Sequence, residues 1–119
     1  MKLLIVEDND RMRRMMVKLV RGLAEQTYEC SDGAEALPAY ARHRPDWVLL
    51  DVRMRGMDGL SATRQIKAAY PEANIMIVTD FDDQDLRQAA RKAGARAYVT
   101  KENLLEVRRI LGSPQREKE

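Results

Sequence analysis

Four short, largely apolar runs, each followed by a charged or hydroxyl-bearing residue, constrain this chain more than any other feature. Each run is too short for a helix and suits a buried strand. Continuous apolar character is typical of parallel strands that are covered on both faces. The runs and the residues that follow them are 2–6 before Glu7 and Asp8, 47–50 before Asp51, 75–78 before Thr79, and 97–100 before Lys101.

These runs, with a brief fifth strand around 28–31, alternate with five helical patterns. Such alternation indicates βαβ units and a parallel sheet in an α/β fold. In an open α/β sheet, ligands bind beyond the carboxyl ends of the strands. We therefore expect the residues that follow the strands to converge on one site. Three carboxylates, one hydroxyl and one ammonium form a set suited to a metal ion and a phosphoryl group.

The length of 119 residues predicts one domain, with residues 1–111 folded and residues 112–119 forming a polar tail or the start of a linker. A formal net charge of +2 is too small to argue for nucleic-acid binding. The single cysteine, Cys30, excludes an internal disulfide and fits a reducing compartment. No apolar run approaches the roughly 18 residues that a membrane span needs. These features favour a cytoplasmic protein.

The first helix is predicted to follow Asn9 or Asp10 as its N-cap. Its apolar stripe has helical spacing and extends to Leu23, and the methionines in it are most simply core residues. The opposite face carries several arginines, which either form a solvated helix side or belong to a docking surface. The stripe consists of Met12, Met15, Met16, Leu19, Val20 and Leu23.

Together, the motifs at the strand ends resemble those of the receiver domain of two-component response regulators. The matching segments are Glu7-Asp8, the stretch 51–59 that begins with Asp51, Thr79, and the stretch 94–101 that ends with Lys101. The resemblance covers residues 1 to about 111. It implies a flavodoxin-like, doubly wound, five-stranded parallel sheet in the order 2-1-3-4-5, with five helices. The residues themselves support only the alternation of strands and helices, and the strand order comes from the resemblance.

The resemblance also implies roles for individual residues. Asp51 would be the phosphoacceptor, and a carboxylate is an established nucleophile for phosphoryl transfer. The Thr79 hydroxyl would bond a phosphoryl oxygen, and Lys101 would pair with Asp51 and then with the phosphoryl group. Tyr98 would change rotamer as Thr79 moves, so that these two residues form a switch.

Crowding of Glu7, Asp8 and Asp51 predicts a compensating cation. At ~4 Å and an effective dielectric near 20, each carboxylate pair costs about 4 kcal/mol. Hard oxygen ligands suit Mg²⁺, which keeps several waters. By resemblance, Asp8 and Asp51 would be direct ligands, the backbone carbonyl of Arg53 a third, and Glu7 would act partly through water.

The implied function is that of a phosphoacceptor that takes a phosphoryl group from a histidine kinase. It would not be an enzyme in the ordinary sense, although it promotes its own phosphorylation and slow dephosphorylation. Output would pass through the face formed by helix four, strand five and helix five. The stretches 79–83 and 101–104 are similar to receivers fused to helix-turn-helix DNA-binding domains. The receiver itself would not bind DNA or membranes, and a homodimer is left open.

Three alternatives stay open. A pseudo-receiver would act as an interaction module without phosphoryl turnover, and a stand-alone receiver would signal to a protein partner. A flavodoxin-like cofactor binder would need a phosphate-cradling loop after strand one, where this chain is acidic.

Two departures from the family pattern bear on these alternatives. Arg55 replaces a common proline, which frees φ and suggests a more mobile loop. Asp80 replaces a small residue, and its charge should attract a metal ion but repel an anionic phosphodonor.

Overall fold

The computed structural model of the protein describes residues 1–112, which form five strands and five helices. All neighbouring strands are parallel, and their order is β2-β1-β3-β4-β5. The predicted flavodoxin-like architecture is therefore confirmed. The strands are β1 (Lys2–Val6), β2 (Gln26–Cys30), β3 (Trp47–Leu50), β4 (Ile75–Thr79) and β5 (Ala97–Thr100).

Capping residues mark the ends of several of the five helices. The Asn9 side chain accepts from the Met12 N–H at 2.8 Å, which makes Asn9 the N-cap of the first helix. Gly94, at φ +111°, ends the fourth helix in the left-handed conformation that glycine adopts without strain. The helices are α1 (Asp10–Leu19), α2 (Ala36–His43), α3 (Gly59–Ala69), α4 (Gln84–Ala93) and α5 (Leu105–Gly112).

The core lies on both faces of the sheet, because side chains alternate along each strand. Leu3 and Ile5 of β1 pack on the face covered by α1 and α5. Leu4 and Val6 pack on the face covered by α2, α3 and α4. All four side chains are fully buried. This explains why β1, β3 and β4 read as continuous apolar runs rather than as alternating patterns.

Strand register brings the predicted site residues to one edge of the sheet. Val6 of β1 pairs with Leu50 of β3, so the chain segments that follow these strands leave the sheet side by side. Thr79, the last residue of β4, pairs with Thr100 of β5. The residues after β1 and β3 thus lie beside the end of β4 and the residue after β5. These residues are far apart in the sequence and become neighbours only because the strands pair in this register.

Some local boundaries differ from the sequence-based expectation. The first helix ends at Leu19 rather than continuing to Leu23, because the chain turns at Gly22, which has φ +92°. A 3-10 turn over Lys101–Asn103 precedes α5. Among the described residues, no helix is both long and apolar enough to cross a membrane. Most of the predicted polar tail, 113–119, lies outside the described residues, and the predicted division at 111 stays a prediction.

Candidate phosphoryl-transfer site

Lys101 is the centre of the site at the carboxyl edge of the sheet. Its Nζ lies 3.0 Å from Asp51 Oδ2 and 3.0 Å from Glu7 Oε1. All three side chains are buried: Lys101 is 8% exposed, Glu7 1% and Asp51 9%. The three strand ends therefore bring one ammonium and two carboxylates together, as the sequence predicted.

Burial and charge pairing oppose each other in this cluster. Burial raises the pKa of Glu7 above its ordinary value, although Lys101 and the Asn9 N–H favour the ionised form. Burial alone would lower the pKa of Lys101, but the contacts with Asp51 and Glu7 outweigh it and raise that pKa. Lys101 thus stays charged and serves two carboxylates at once.

Asp8 is oriented by a different cation. Its Oδ2 accepts a hydrogen bond from the backbone N–H of Arg55 at 2.9 Å and lies 3.5 Å from Arg55 Nε. The sequence suggested a more mobile loop at Arg55. The structure shows that this residue ties the loop to Asp8, through a backbone N–H that a proline would lack.

Three buried side-chain oxygens at this edge have no hydrogen bond from any residue in the described range 1–112: Glu7 Oε1, Asp51 Oδ1 and Thr79 Oγ1. Glu7 Oε1 still has an ionic partner, Lys101, so Asp51 Oδ1 and Thr79 Oγ1 are the two without a polar contact in that range. Thr79 is fully buried, although its hydroxyl is polar. Buried polar atoms are normally paired, and exceptions are often found at functional sites. Both atoms are suited to an incoming polar group, one as a nucleophile and one as a hydrogen-bond donor.

A cavity of about 410 Å³ lies over this cluster. Its rim includes Arg53, whose guanidinium carbon sits 4.4 Å from the centre of the Phe81 ring in a cation–π contact. Asp80 also lines it and is exposed, which places a fourth carboxylate at the entrance. The lining residues are Glu7, Asp8, Asn9, Arg11, Met12, Met15, Asp51, Arg53, Asp80, Phe81 and Lys101.

Met15 was wrongly predicted to be a core residue. It is 46% exposed and lines the cavity, whereas Met16 is buried under the sheet. Helical periodicity identified the correct helix but drew the apolar stripe too wide, because two of the methionines lie at its edge. Met12 and Met15 therefore give the cavity an apolar wall that the sequence did not reveal.

Tyr98 lies outside the cavity but is linked to its rim. Its hydroxyl donates to the backbone carbonyl of Phe81 at 2.5 Å, and the Arg87 guanidinium lies 4.6 Å from its ring centre. The side chain is half-buried. Tyr98 therefore connects β5 to the loop that follows Thr79.

The carboxylate oxygens at the carboxyl edge of the sheet suit a hard cation, although in the structure they contact the side chains of Lys101 and Arg55. Within residues 1–112, no three acidic, histidine or cysteine side chains form a ready ligand group. Glu7 and Asp51 turn towards Lys101, and Asp8 turns towards Arg55. Carboxylate and carbonyl oxygens nevertheless suit Mg²⁺. The ligand set Glu7, Asp8, Asp51 and the Arg53 carbonyl stays a prediction.

Comparison with known proteins decides the family. The sequence model of the response regulator receiver domain matches residues 3–110. This chain belongs to that family. The chemotaxis protein CheY of Halobacterium salinarum is 33% identical over 100 residues, which are 84% of this chain and 83% of CheY. The DNA-binding transcriptional regulator NtrC of Escherichia coli is 35% identical over 97 residues, which are 82% of this chain but 21% of NtrC.

Solved structures show the same fold. A LuxR-family two-component response regulator from Aurantimonas sp. SI85-9A1 superposes with a TM-score of 0.83 at 29% identity, covering 92% of this chain and 84% of that chain. CheY of Borrelia burgdorferi, solved as a CheX-CheY-BeF3-Mg²⁺ complex, gives 0.81 at 22% identity, covering 94% and 90%. At that identity the second likeness concerns the fold alone. The predicted membership of the receiver family is confirmed.

Proposed function

We propose that this receiver takes a phosphoryl group from a phosphohistidine of a histidine kinase onto Oδ1 of Asp51. The observation that carries the proposal is the state of the two Asp51 oxygens. Oδ2 is held by Lys101, whereas Oδ1 is buried and makes no hydrogen bond within residues 1–112. One oxygen is thus fixed by a cation, and the other is left for the new bond.

The reaction exchanges one bond to phosphorus for another. Oδ1 forms an O–P bond to the phosphoryl group as the N–P bond to the donor histidine breaks, and the histidine keeps the bonding electron pair. In such transfer, positioning and electrostatics supply nearly all the catalysis. Lys101 offsets negative charge on the phosphoryl oxygens, and the Thr79 hydroxyl donates to one of them. Slow hydrolysis of the acyl phosphate then regenerates Asp51.

A divalent cation completes this charge balance. Asp8, Asp51 and the Arg53 carbonyl would hold Mg²⁺, with Glu7 acting through water, and the ion would neutralise charge on the transferred group. The family is generally Mg²⁺-dependent, and the Borrelia burgdorferi CheY complex includes the ion. The residues present here fit that requirement because every donor is an oxygen.

The direct experiment is phosphorylation by a small acyl phosphate, followed by intact-mass spectrometry. The wild-type chain should gain one phosphoryl group with Mg²⁺ present, and an excess of chelator should prevent it. The fraction of phosphorylated protein should fall after the donor is removed, because the acyl phosphate hydrolyses slowly. Absence of any adduct over a full Mg²⁺ titration would contradict the proposal and favour the pseudo-receiver alternative.

The output that we propose is control of transcription in the cytoplasm, through a DNA-binding domain on the same polypeptide. The relative NtrC is a DNA-binding regulator and supports this reading, whereas CheY supports a receiver that signals to a protein partner. In either case the signal would leave by the face of α4, β5 and α5, which would contact the output domain or the protein partner. The isolated receiver should show no measurable binding to duplex DNA at physiological salt, because its net charge is only +2.

Thr79→Ala should prevent phosphorylation of Asp51 from changing the conformation of the face formed by α4, β5 and α5. The phosphoryl group shifts a two-state equilibrium only through contacts that differ between the states, and the Thr79 hydroxyl would provide one of them. Tyr98 links the same loop to β5 through the Phe81 carbonyl. Addition of a phosphoryl mimic should change backbone amide shifts across residues 81–111 in the wild type and change them much less in the variant. Shifts confined to the surroundings of Asp51 in both proteins would refute the switch.

Asp80→Ala should speed phosphorylation by an anionic donor. Asp80 is exposed at the cavity rim, so its removal lowers repulsion of the donor and widens the entrance. We expect an initial rate about twofold or more higher at low ionic strength, with the difference shrinking as salt is added. Glu72→Ala is the control, because it removes an exposed carboxylate that precedes β4 and does not line the cavity. An equal or slower rate for Asp80→Ala would show that this carboxylate does not hinder the donor.

A further inference from the structure

The contact between Arg55 and Asp8 differs from every other charge contact at the site. Arg55 presents both its backbone N–H and its Nε to one oxygen, Asp8 Oδ2, at 2.9 and 3.5 Å. Within residues 1–112, Asp8 has no other hydrogen bond or ion pair in the structure. The contact therefore satisfies the one carboxylate of the cluster that Lys101 does not reach.

Exposure determines how strong this contact is. The Arg55 side chain is 84% exposed and that of Asp8 is 19% exposed, whereas Lys101, Glu7 and Asp51 are buried. An ion pair with one partner in solvent is weak and is screened by salt. The guanidinium can thus leave Asp8 without unfolding the site, while the backbone N–H keeps the loop nearby.

We propose that Arg55 competes with Mg²⁺ for the Asp8 carboxylate and so lowers the metal affinity of the receiver. This rests on the proposed function, because it takes Asp8 as a metal ligand. A cation on Oδ2 meets the positive guanidinium at close range, so the metal binds only when that group moves away. Arg55 acts through Asp8 and is a positioning residue rather than a catalytic one.

The test is a Mg²⁺ titration followed by backbone amide shifts at low ionic strength, which needs no phosphodonor. Arg55→Gln keeps the backbone N–H and much of the side-chain length but removes the charge. It should bind Mg²⁺ about two- to fivefold more tightly than the wild type. Arg55→Lys should return most of the way to the wild-type affinity. Added potassium chloride should narrow the difference between Arg55→Gln and the wild type, because the guanidinium is exposed.

Arg42→Gln is the matched control. Arg42 is exposed in the last turn of α2 and is not one of the residues that line the cavity. It removes the same charge and should leave Mg²⁺ affinity unchanged. Equal affinities for the wild type and Arg55→Gln would overturn the competition. Failure of both proteins to bind Mg²⁺ would instead contradict the proposed function, so the two failures are distinct.

A metal-free measurement tests the contact itself. In the presence of chelator, the amide proton of Arg55 should move upfield in Asp8→Asn, because its acceptor loses the charge. The amide proton of Ser61, which donates to Asp58 Oδ1 at 2.8 Å, serves as the internal reference. An Arg55 amide that moves no more than that of Ser61 would overturn the assignment of Asp8 as its acceptor.

Discussion

Replacement of Asp51 by asparagine is expected to abolish phosphorylation entirely. The amide has nearly the shape of the carboxylate, so the substitution fits the same buried space beside Lys101. It cannot supply the charged oxygen that attacks phosphorus, and nucleophilic catalysis needs that group in reactive form. Lys101 keeps Glu7 as an ionic partner at 3.0 Å, so the fold should persist. Intact-mass spectrometry after treatment with a small phosphodonor and Mg²⁺ should therefore show no adduct.

The matched control for this substitution is Asp85→Asn. Asp85 is exposed in the first turn of α4 and is not one of the residues that line the cavity, so the substitution makes the same chemical change outside the site. It should leave the adduct intact. Thermal unfolding of both variants separates loss of reactivity from loss of structure. A folded Asp51→Asn protein that still gains a phosphoryl group at the wild-type rate would mean that another side chain is the acceptor.

Gly59→Ala is expected to have the largest effect on stability. A β-carbon at this position would lie 1.9 Å from the Asp51 carbonyl oxygen and 2.8 Å from its carbonyl carbon. Both contacts are with backbone, so no side-chain rotation can relieve them. Overpacking of this kind usually costs about 1–3 kcal/mol, occasionally more, and we expect about 3 kcal/mol or above here. The shift would also displace Asp51, since α3 begins directly against it.

Urea unfolding measures this cost, and Gly112→Ala provides the comparison. A β-carbon at Gly112 would meet no atom of residues 1–112 within 4 Å, so alanine there should change the free energy of unfolding by less than about 1 kcal/mol. Phosphorylation of Gly59→Ala should fall with its stability. If the free energy of unfolding of Gly59→Ala matched that of the wild type, α3 and the Asp51 backbone would have to be farther apart than the structure shows.

Much of the site could be predicted from the sequence because it depends on strand ends. Buried parallel strands are largely apolar, so the first polar residue at the end of each run marks the carboxyl end of the strand. This rule locates Asp51 and Thr79, and Lys101 follows the last strand directly. The residues do not specify which strands are neighbours, however. The strand order came from the family resemblance, and the register in the structure explains why these residues meet.

Contacts that depend on loop geometry could not be predicted. Arg55 is recognisable as a departure from the family pattern, but its bond to Asp8 spans 47 residues of sequence and depends on the path of the loop after β3. The stacking of Arg53 on Phe81 likewise joins two loops. Met15 was misplaced because helical periodicity gives a face but not the width of the buried stripe. Periodicity and composition carry no information about such long-range side-chain pairing.

Locating the phosphoryl group on the wild-type chain tests directly whether Asp51 is the phosphoacceptor. After treatment with a small phosphodonor and Mg²⁺, borohydride would reduce the acyl phosphate and mark the residue that carried it, and proteolysis with mass spectrometry would identify that residue. We predict one mark, at Asp51, which is absent when chelator replaces Mg²⁺. A mark at Asp8, Asp80 or any other carboxylate, with Asp51 unmodified, would contradict the account.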